Sequence, residues 1–254
     1  MIFDLQKASM WKRISAFLFD FILFGIVAVL FAWLLSAALG FDAHYQALAD
    51  AYARYGEAYG VDFSMSSGEY DALTEEQLQH LQDAYAALAA DGEAVYAYNM
   101  TVQLSILITS LGILLAFFAM EFAVPLALGD GQTLGKKIFG LGLMRQDGVR
   151  VRAVALFVRA VLGKYAIETM VPLLIVAMVL YGSIGIVGPV ILGLLLLVQA
   201  AVLCATPTRA AIHDLLAATV VVDLPSQKIF DTREELIACQ QRLHAEKVAS
   251  EPYR

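Results

Sequence analysis

The sequence predicts an all-α membrane protein. Four transmembrane helices carry an extracytoplasmic α-helical hairpin between spans one and two and a cytoplasmic interfacial helix before span three. Three observations point there. The 254 residues are 60% hydrophobic and 16% charged, whereas a soluble domain carries about 25% charged residues. Uncharged stretches are long enough for a bilayer core of about 30 Å, which takes about 20 apolar residues as a helix. The charges that remain are sorted by sign along the chain.

The spans follow from the uncharged stretches. Phe21–Phe41 lacks charge and places span one at about 14–39. Signal-peptide cores run about 7–15 residues, so this longer segment, which also contains Asp20, reads as an uncleaved first span. Ala94–Met120 places span two at about 99–125, ended by Pro125. Thr169–Thr208 is too long for one helix, and Gly182, Gly185, Gly188 and Pro189 divide it. Span three is then about 165–182, with a kink expected at Pro172, and span four about 188–206. A re-entrant hairpin at 182–189 is the other reading of that break.

Charge sets orientation. Residues 1–13 carry Lys7, Lys12 and Arg13 against Asp4. Residues 41–93 carry eleven acidic residues against Arg54 alone, and 129–164 carry seven basic residues against Asp130 and Asp147. The positive-inside rule therefore puts both termini and the 129–164 loop in the cytoplasm, and the acidic segment outside.

The acidic segment has helical periodicity. Tyr45, Leu48, Tyr52, Tyr55 and Tyr59 recur at three- and four-residue spacing. Gly60 and Ser64–Gly68 break the pattern, and Thr74 with Gln77 reads as a capping box opening a second helix. The tyrosines serve as hairpin core or as a partner surface. His44 and His80 read as surface residues.

In the cytoplasmic loop, Thr133–Phe139 suits a short basic helix. Leu141–Arg145 and Val149–Arg152 flank Gln146-Asp147-Gly148, a hairpin signal. Ala153–Lys164 is amphipathic, with Val154, Phe157, Val158 and Val161 on one side and Arg159 among the polar positions, which suits an interfacial helix. After span four, Pro207 ends the helix, Arg209–Ala218 suits a short helix, and Thr219–Val222 is β-branched. Asp231–Glu235 opens a C-terminal helix with Arg242 and Lys247 late in it, so 224–254 reads as a cytoplasmic tail. Cys204 and Cys239 have no C-x-x-C spacing, so neither a disulfide nor a cysteine metal site is expected.

Ionisable residues within the spans carry the functional signal. An ionised side chain at mid-helix costs roughly 2.5–3.5 kcal/mol on insertion scales, so it is paired, wet or functional. Arg13 and Asp20 lie on one helix face, but seven residues put them about 10 Å apart along the axis. Each therefore needs another partner. Arg159, His213 and Asp214 fall at the same membrane level, giving an expected network of Arg13, Asp20, Arg159 and Asp214. Glu121, Glu168 and Lys136 are secondary candidates, with Glu168 set four residues from Lys164 as an ordinary helix pair.

These residues resemble the RDD family of bacterial membrane proteins. Arg13, Ala16 and Asp20 resemble its arginine and first aspartate. Gly131-Gln132-Thr133-Leu134-Gly135-Lys136-Lys137, with Asp147-Gly148 and Arg159, resembles its loop after the second span. His213-Asp214-Leu215-Leu216-Ala217-Ala218-Thr219-Val220-Val221 resembles its closing segment. The likeness covers about 9–39 and 99–223, leaving the 41–98 hairpin and the tail outside it. It implies a membrane domain over 9–223 and, from what is proposed for some members, monovalent cation/proton exchange. Other RDD domains are assembly modules.

Two readings therefore compete. In one, the charged network clasps helix one to the loop and the closing segment, within a scaffold that docks a protein partner through the Tyr-rich hairpin or the tail. In the other, Asp20 and Asp214 carry monovalent cations or protons, and four spans imply a homo-oligomer; Ala28, Ala32 and Ser36, every fourth residue, allow close helix approach. No H-E-x-x-H, P-loop or G-x-S-x-G pattern is present, so an enzyme, a cofactor, a metal or a nucleic-acid partner is not expected.

Overall fold

The computed structural model describes residues 8–206 and 210–250. Asp4 and Lys7, as well as Pro207 and Arg209, lie outside them, as does the side chain of Lys247. Four helices are long and apolar enough to cross a bilayer: Met10–Leu39, Gly92–Leu128, Ala153–Leu180 and Val187–Ala205. Large apolar side chains stay exposed along them, Phe17, Val29, Trp33, Leu180 and Leu196 among them. So much exposed apolar surface marks a lipid or partner contact in a folded protein.

Two of these helices differ from expectation, for a shared reason. Span two does not stop at Pro125 but runs to Leu128. The expected interfacial helix is not separate, because Ala153–Leu180 is continuous and includes span three. Each contains a π-helical segment, Phe118–Ala123 and Val158–Met170. The segments end with N–H bonds five residues back, from Val124 to Ala119 and from Val171 to Ala166. Pro125 and Pro172 come next. Proline donates no N–H and crowds the carbonyl four residues back, and the wider turn takes up that misfit.

The chain divides into two compact units, Val29–Gly112 and the remainder. In the first, the helices Phe41–Tyr59 and Glu75–Ala90 pack together around Ala51, Leu88 and Ala94, with Tyr52 and Tyr55 half-buried against them. Thr74 and Gln77 form the expected capping box: Thr74 N–H donates to Gln77 Oε1 at 2.9 Å, and Gln77 N–H donates back to Thr74 Oγ1 at 3.3 Å. A second box, Ser66 with Glu69, opens a short helix over Ser67–Asp71 where the sequence suggested only a break. Asp91 accepts from the Glu93 N–H at 2.9 Å, capping span two, and pairs with Arg54 at 2.6 Å. The tyrosines divide: Tyr45, Tyr70, Tyr85, Tyr96 and Tyr98 are exposed.

The second unit corrects the all-α expectation. Strand β1 (Leu141–Arg145) pairs antiparallel with β2 (Thr219–Asp223), in the register Leu143↔Val221. The turn at Gln146-Asp147-Gly148 closes, but its far side meets β1 only in a bridge from Arg150 to Met144. The β-branched Thr219–Val222 takes the other edge of β1 because both faces of the pair are covered. Leu141, Leu143 and Val221 pack on Ala16 and Leu156, and Met144, Val220 and Val222 pack on Ile229. The tail is not separate at its start. Phe230 is buried and bridges Val149, and its carbonyl accepts from the Arg150 N–H at 2.8 Å. The C-terminal helix is Arg233–Ser250. Spans three and four are joined by a turn over 181–186 rather than a re-entrant hairpin.

Candidate functional site: a buried charged cavity

Arg159 is the hub. It sits near the start of the Val158–Met170 segment, is 4% exposed, and spends three nitrogens on three partners. Nε donates to Asp214 Oδ1 at 2.8 Å, Nη1 donates to Glu121 Oε2 at 3.2 Å, and Nη2 lies 3.0 Å from His213 Nε2. A guanidinium only donates. His213 Nε2 must therefore accept, and Nδ1 must carry the ring proton, which it gives to Glu168 at 2.8 Å. Burial, with Arg159 alongside, pushes the His213 pKa down, which agrees with a neutral ring. The His213 backbone N–H also donates to Glu168, at 3.0 Å.

Local sequence explains how this close packing is reached. Gly163 faces the Ile212–Leu216 helix, where a Cβ would lie 2.8 Å from the His213 Cα. Asp214 lies in that helix, 1% exposed, with Arg13 Nη2 3.8 Å away and the Thr219 hydroxyl donating to it at 3.3 Å. Burial alone would raise its carboxyl pKa. Arg159 overrides burial and holds it well below the usual carboxylate range. Glu121 accepts from both Arg159 and Lys164. Lys164 thus serves Glu121 rather than forming the expected pair with Glu168, since a fully buried carboxylate needs the counter-charge more.

Asp20 is anchored through the 129–138 loop. Thr133 caps the Leu134–Ile138 helix and donates its hydroxyl to Asp20 Oδ2 at 2.5 Å, and the Gly135 N–H donates to Oδ1 at 2.8 Å. The carboxylate therefore sits at a helix N-terminus, where the dipole favours it. The loop is itself fixed on β1: Gln132 Nε2 donates to the Leu141 carbonyl at 2.8 Å, and the Leu143 N–H to the Asp130 carbonyl at 2.8 Å.

The ionisable side chains of this network, with Thr133, border one cavity of about 460 Å3, which Phe17, Phe24 and Phe117 line on its apolar side. Arg13, Asp20, Glu121, Lys136, Arg159, Glu168, His213 and Asp214, the eight candidates read from the sequence, all reach it. Sequence reasoning missed three contributors. Thr133 was visible only as part of the Gly131–Lys137 motif. Gln199, which hydrogen-bonds Glu168, is a lone amide within the uncharged Thr169–Thr208 run. Lys164 was assigned the wrong partner. The π-helical segments hold Glu121, Arg159, Lys164 and Glu168, and such turns recur at functional sites.

Lys136 differs from the rest. It is 8% exposed, and its Nζ is the buried side-chain polar atom without a hydrogen-bond partner among the described residues. Burial, reinforced by Arg159, lowers its pKa to about 7 from the ordinary 10.5. Between those values the unfolded chain holds a proton on Lys136 that the folded chain does not. Stability therefore rises with pH across that window. The melting temperature of the ligand-free protein in detergent should climb from about pH 7 to about pH 9, and the climb should be flatter in Lys136→Met.

Four helices long and apolar enough to cross a bilayer, with buried charged groups gathered at one cavity, define a membrane protein. The RDD family model matches residues 7–218. The chain belongs to the RDD family of membrane proteins. No curated protein and no solved structure matches it.

Proposed function

We propose that the protein is a non-enzymatic inner-membrane carrier that exchanges a monovalent cation for a proton, or moves a related small ion. The observation that supports this best is the cavity itself. Asp20, Glu121, Glu168 and Asp214 come from four separate segments and converge on about 460 Å3 of open space. A clasp serving stability alone gains by packing shut, because unfilled volume costs stability. A water occupies about 30 Å3 in the liquid, so the space suits a cation with part of its hydration shell. The positive-inside rule supports a cytoplasmic position for the basic 129–164 loop and an outer one for the 41–98 hairpin. Four spans are few for a pathway, which favours a homo-oligomer.

The test uses purified full-length protein in proteoliposomes that enclose a pH-sensitive dye, challenged with sodium, lithium and potassium. Wild type should change the internal pH with at least one of these cations. Asp20→Asn should abolish the response while running as the same folded species on gel filtration. A silent wild type in every gradient would refute transport.

A second reading has its own support. Tyr45, Tyr96 and Tyr98 are exposed in the Val29–Gly112 unit, and exposed aromatics favour protein contacts. In this reading the protein is a scaffold that docks a partner there or through its tail. One stoichiometric partner, copurified with the wild type and lost on deleting 42–97, would favour the scaffold.

A further inference from the structure

The cavity lining balances in charge only in one protonation state. Its bases are Arg13, Lys136, Arg159 and Lys164, and its carboxylates are Asp20, Glu121, Glu168 and Asp214. The hydrogen bonds to those carboxylates all come from donors: guanidinium and ammonium groups, the His213 ring and backbone, the Thr133 hydroxyl, the Thr219 hydroxyl and the Gly135 and Ala211 N–H groups. His213 is neutral by the argument above. With Lys136 as an ammonium, the lining sums to zero. With Lys136 as an amine, one negative charge is left over.

Three of the four bases have carboxylate partners within 4 Å, and Lys136 has none among the described residues. Arg13, Arg159 and Lys164 are therefore committed to holding the fold. Lys136 is the base that can lose its charge without breaking a hydrogen bond. An anion entering beside the ammonium would unbalance the lining, at a cost that rises in low dielectric. A monovalent cation entering as the proton leaves keeps it balanced, and carboxylate oxygens suit a hard cation.

We propose that Lys136 is the proton-bearing group that an alkali cation displaces, so that the cavity holds either the Lys136 proton or one monovalent cation, exchanged one for one without net charge movement. The step balances: the N–H bond of the ammonium breaks, its electron pair stays on nitrogen, the proton leaves to water, and the cation takes over the charge. The proposal rests on reading the cavity as a cation site, but its test does not require transport.

The test titrates sodium chloride into full-length protein in detergent, weakly buffered near pH 6, where Lys136 is mostly protonated, with choline chloride as the control. About one proton should be released per sodium bound, and none with choline chloride. Lys136→Met should bind sodium and release no proton. Lys136→Arg, whose charge is permanent, should bind sodium at least about tenfold more weakly than wild type. Should either variant fail to fold, wild type alone still decides. Its apparent sodium affinity should fall about tenfold for each pH unit below about 7, as linkage to a single proton requires. Proton release that persists in Lys136→Met, proton uptake with choline chloride, or no sodium binding by folded wild type would overturn the proposal. Exchange in proteoliposomes that Lys136→Met leaves unchanged would refute the role of Lys136 and spare the transport reading. Sodium-driven proton release with no flux would do the reverse.

Discussion

Replacing Arg159 with methionine should leave little folded protein. Methionine fills much of the same space, so lost packing is a minor part of the effect. The guanidinium donates to Asp214 and Glu121, and both carboxylates are almost fully buried. Arg13 stands 3.8 Å from Asp214 and Lys164 still reaches Glu121, but neither replaces the lost hydrogen bonds. Removing one partner of a buried ion pair typically costs about 3–5 kcal/mol, a large share of the roughly 5–15 kcal/mol that keeps a domain folded. The measurement is monodisperse yield and melting temperature in detergent. Arg159→Lys should fall between wild type and methionine, because one ammonium cannot span three acceptors in a plane. Adding Asp214→Asn to Arg159→Met should recover part of the loss. A methionine variant that melts with wild type would show that the hub carries no stability.

The second large effect should come from a single methyl group. At Gly135 a Cβ would stand 2.4 Å from the Ala16 carbonyl oxygen and 2.9 Å from the Asp20 carboxyl carbon. One obstacle is backbone of span one, which cannot step aside. Gly135→Ala should therefore push the Leu134–Ile138 helix off span one and break both hydrogen bonds that hold Asp20. Overpacking typically costs about 1–3 kcal/mol, and a carboxylate stripped of its donors costs about 1–3 kcal/mol more. Gly25→Ala and Gly193→Ala, where a Cβ would meet nothing within 4 Å, are the controls and should melt with wild type. Combining Gly135→Ala with Asp20→Ala should not restore stability, since the Ala16 carbonyl remains. Full restoration would mean that the carboxylate, not the backbone contact, sets the fit.

The charged site was largely legible in the sequence, because charge within an apolar span is expensive and therefore conspicuous. Asp20 stands out on that ground, Arg13, Arg159 and Asp214 by their place at the ends of the spans, and the structure brings all four to one cavity. Their pairing was not legible. Asp20 goes to Thr133 and Gly135 of the loop, Lys164 to Glu121, and His213 bridges Arg159 and Glu168. Each choice depends on distances between segments that lie far apart in sequence. The two π-helical segments were also hidden, since Pro125 and Pro172 read equally well as stops or kinks.

Composition and charge spacing by themselves determined that this chain has four apolar helices for a membrane, and which ionisable groups could not be left to lipid. Those follow from transfer free energies, which each segment carries alone. Tertiary structure decided that Leu141–Arg145 pairs with Thr219–Asp223 rather than with its neighbour across the turn, and that Lys136 faces a cavity with no hydrogen-bond partner among the described residues. Both depend on which surfaces meet once the segments pack, and a strand edge or a buried amine is satisfied or stranded only by what arrives from elsewhere in the chain.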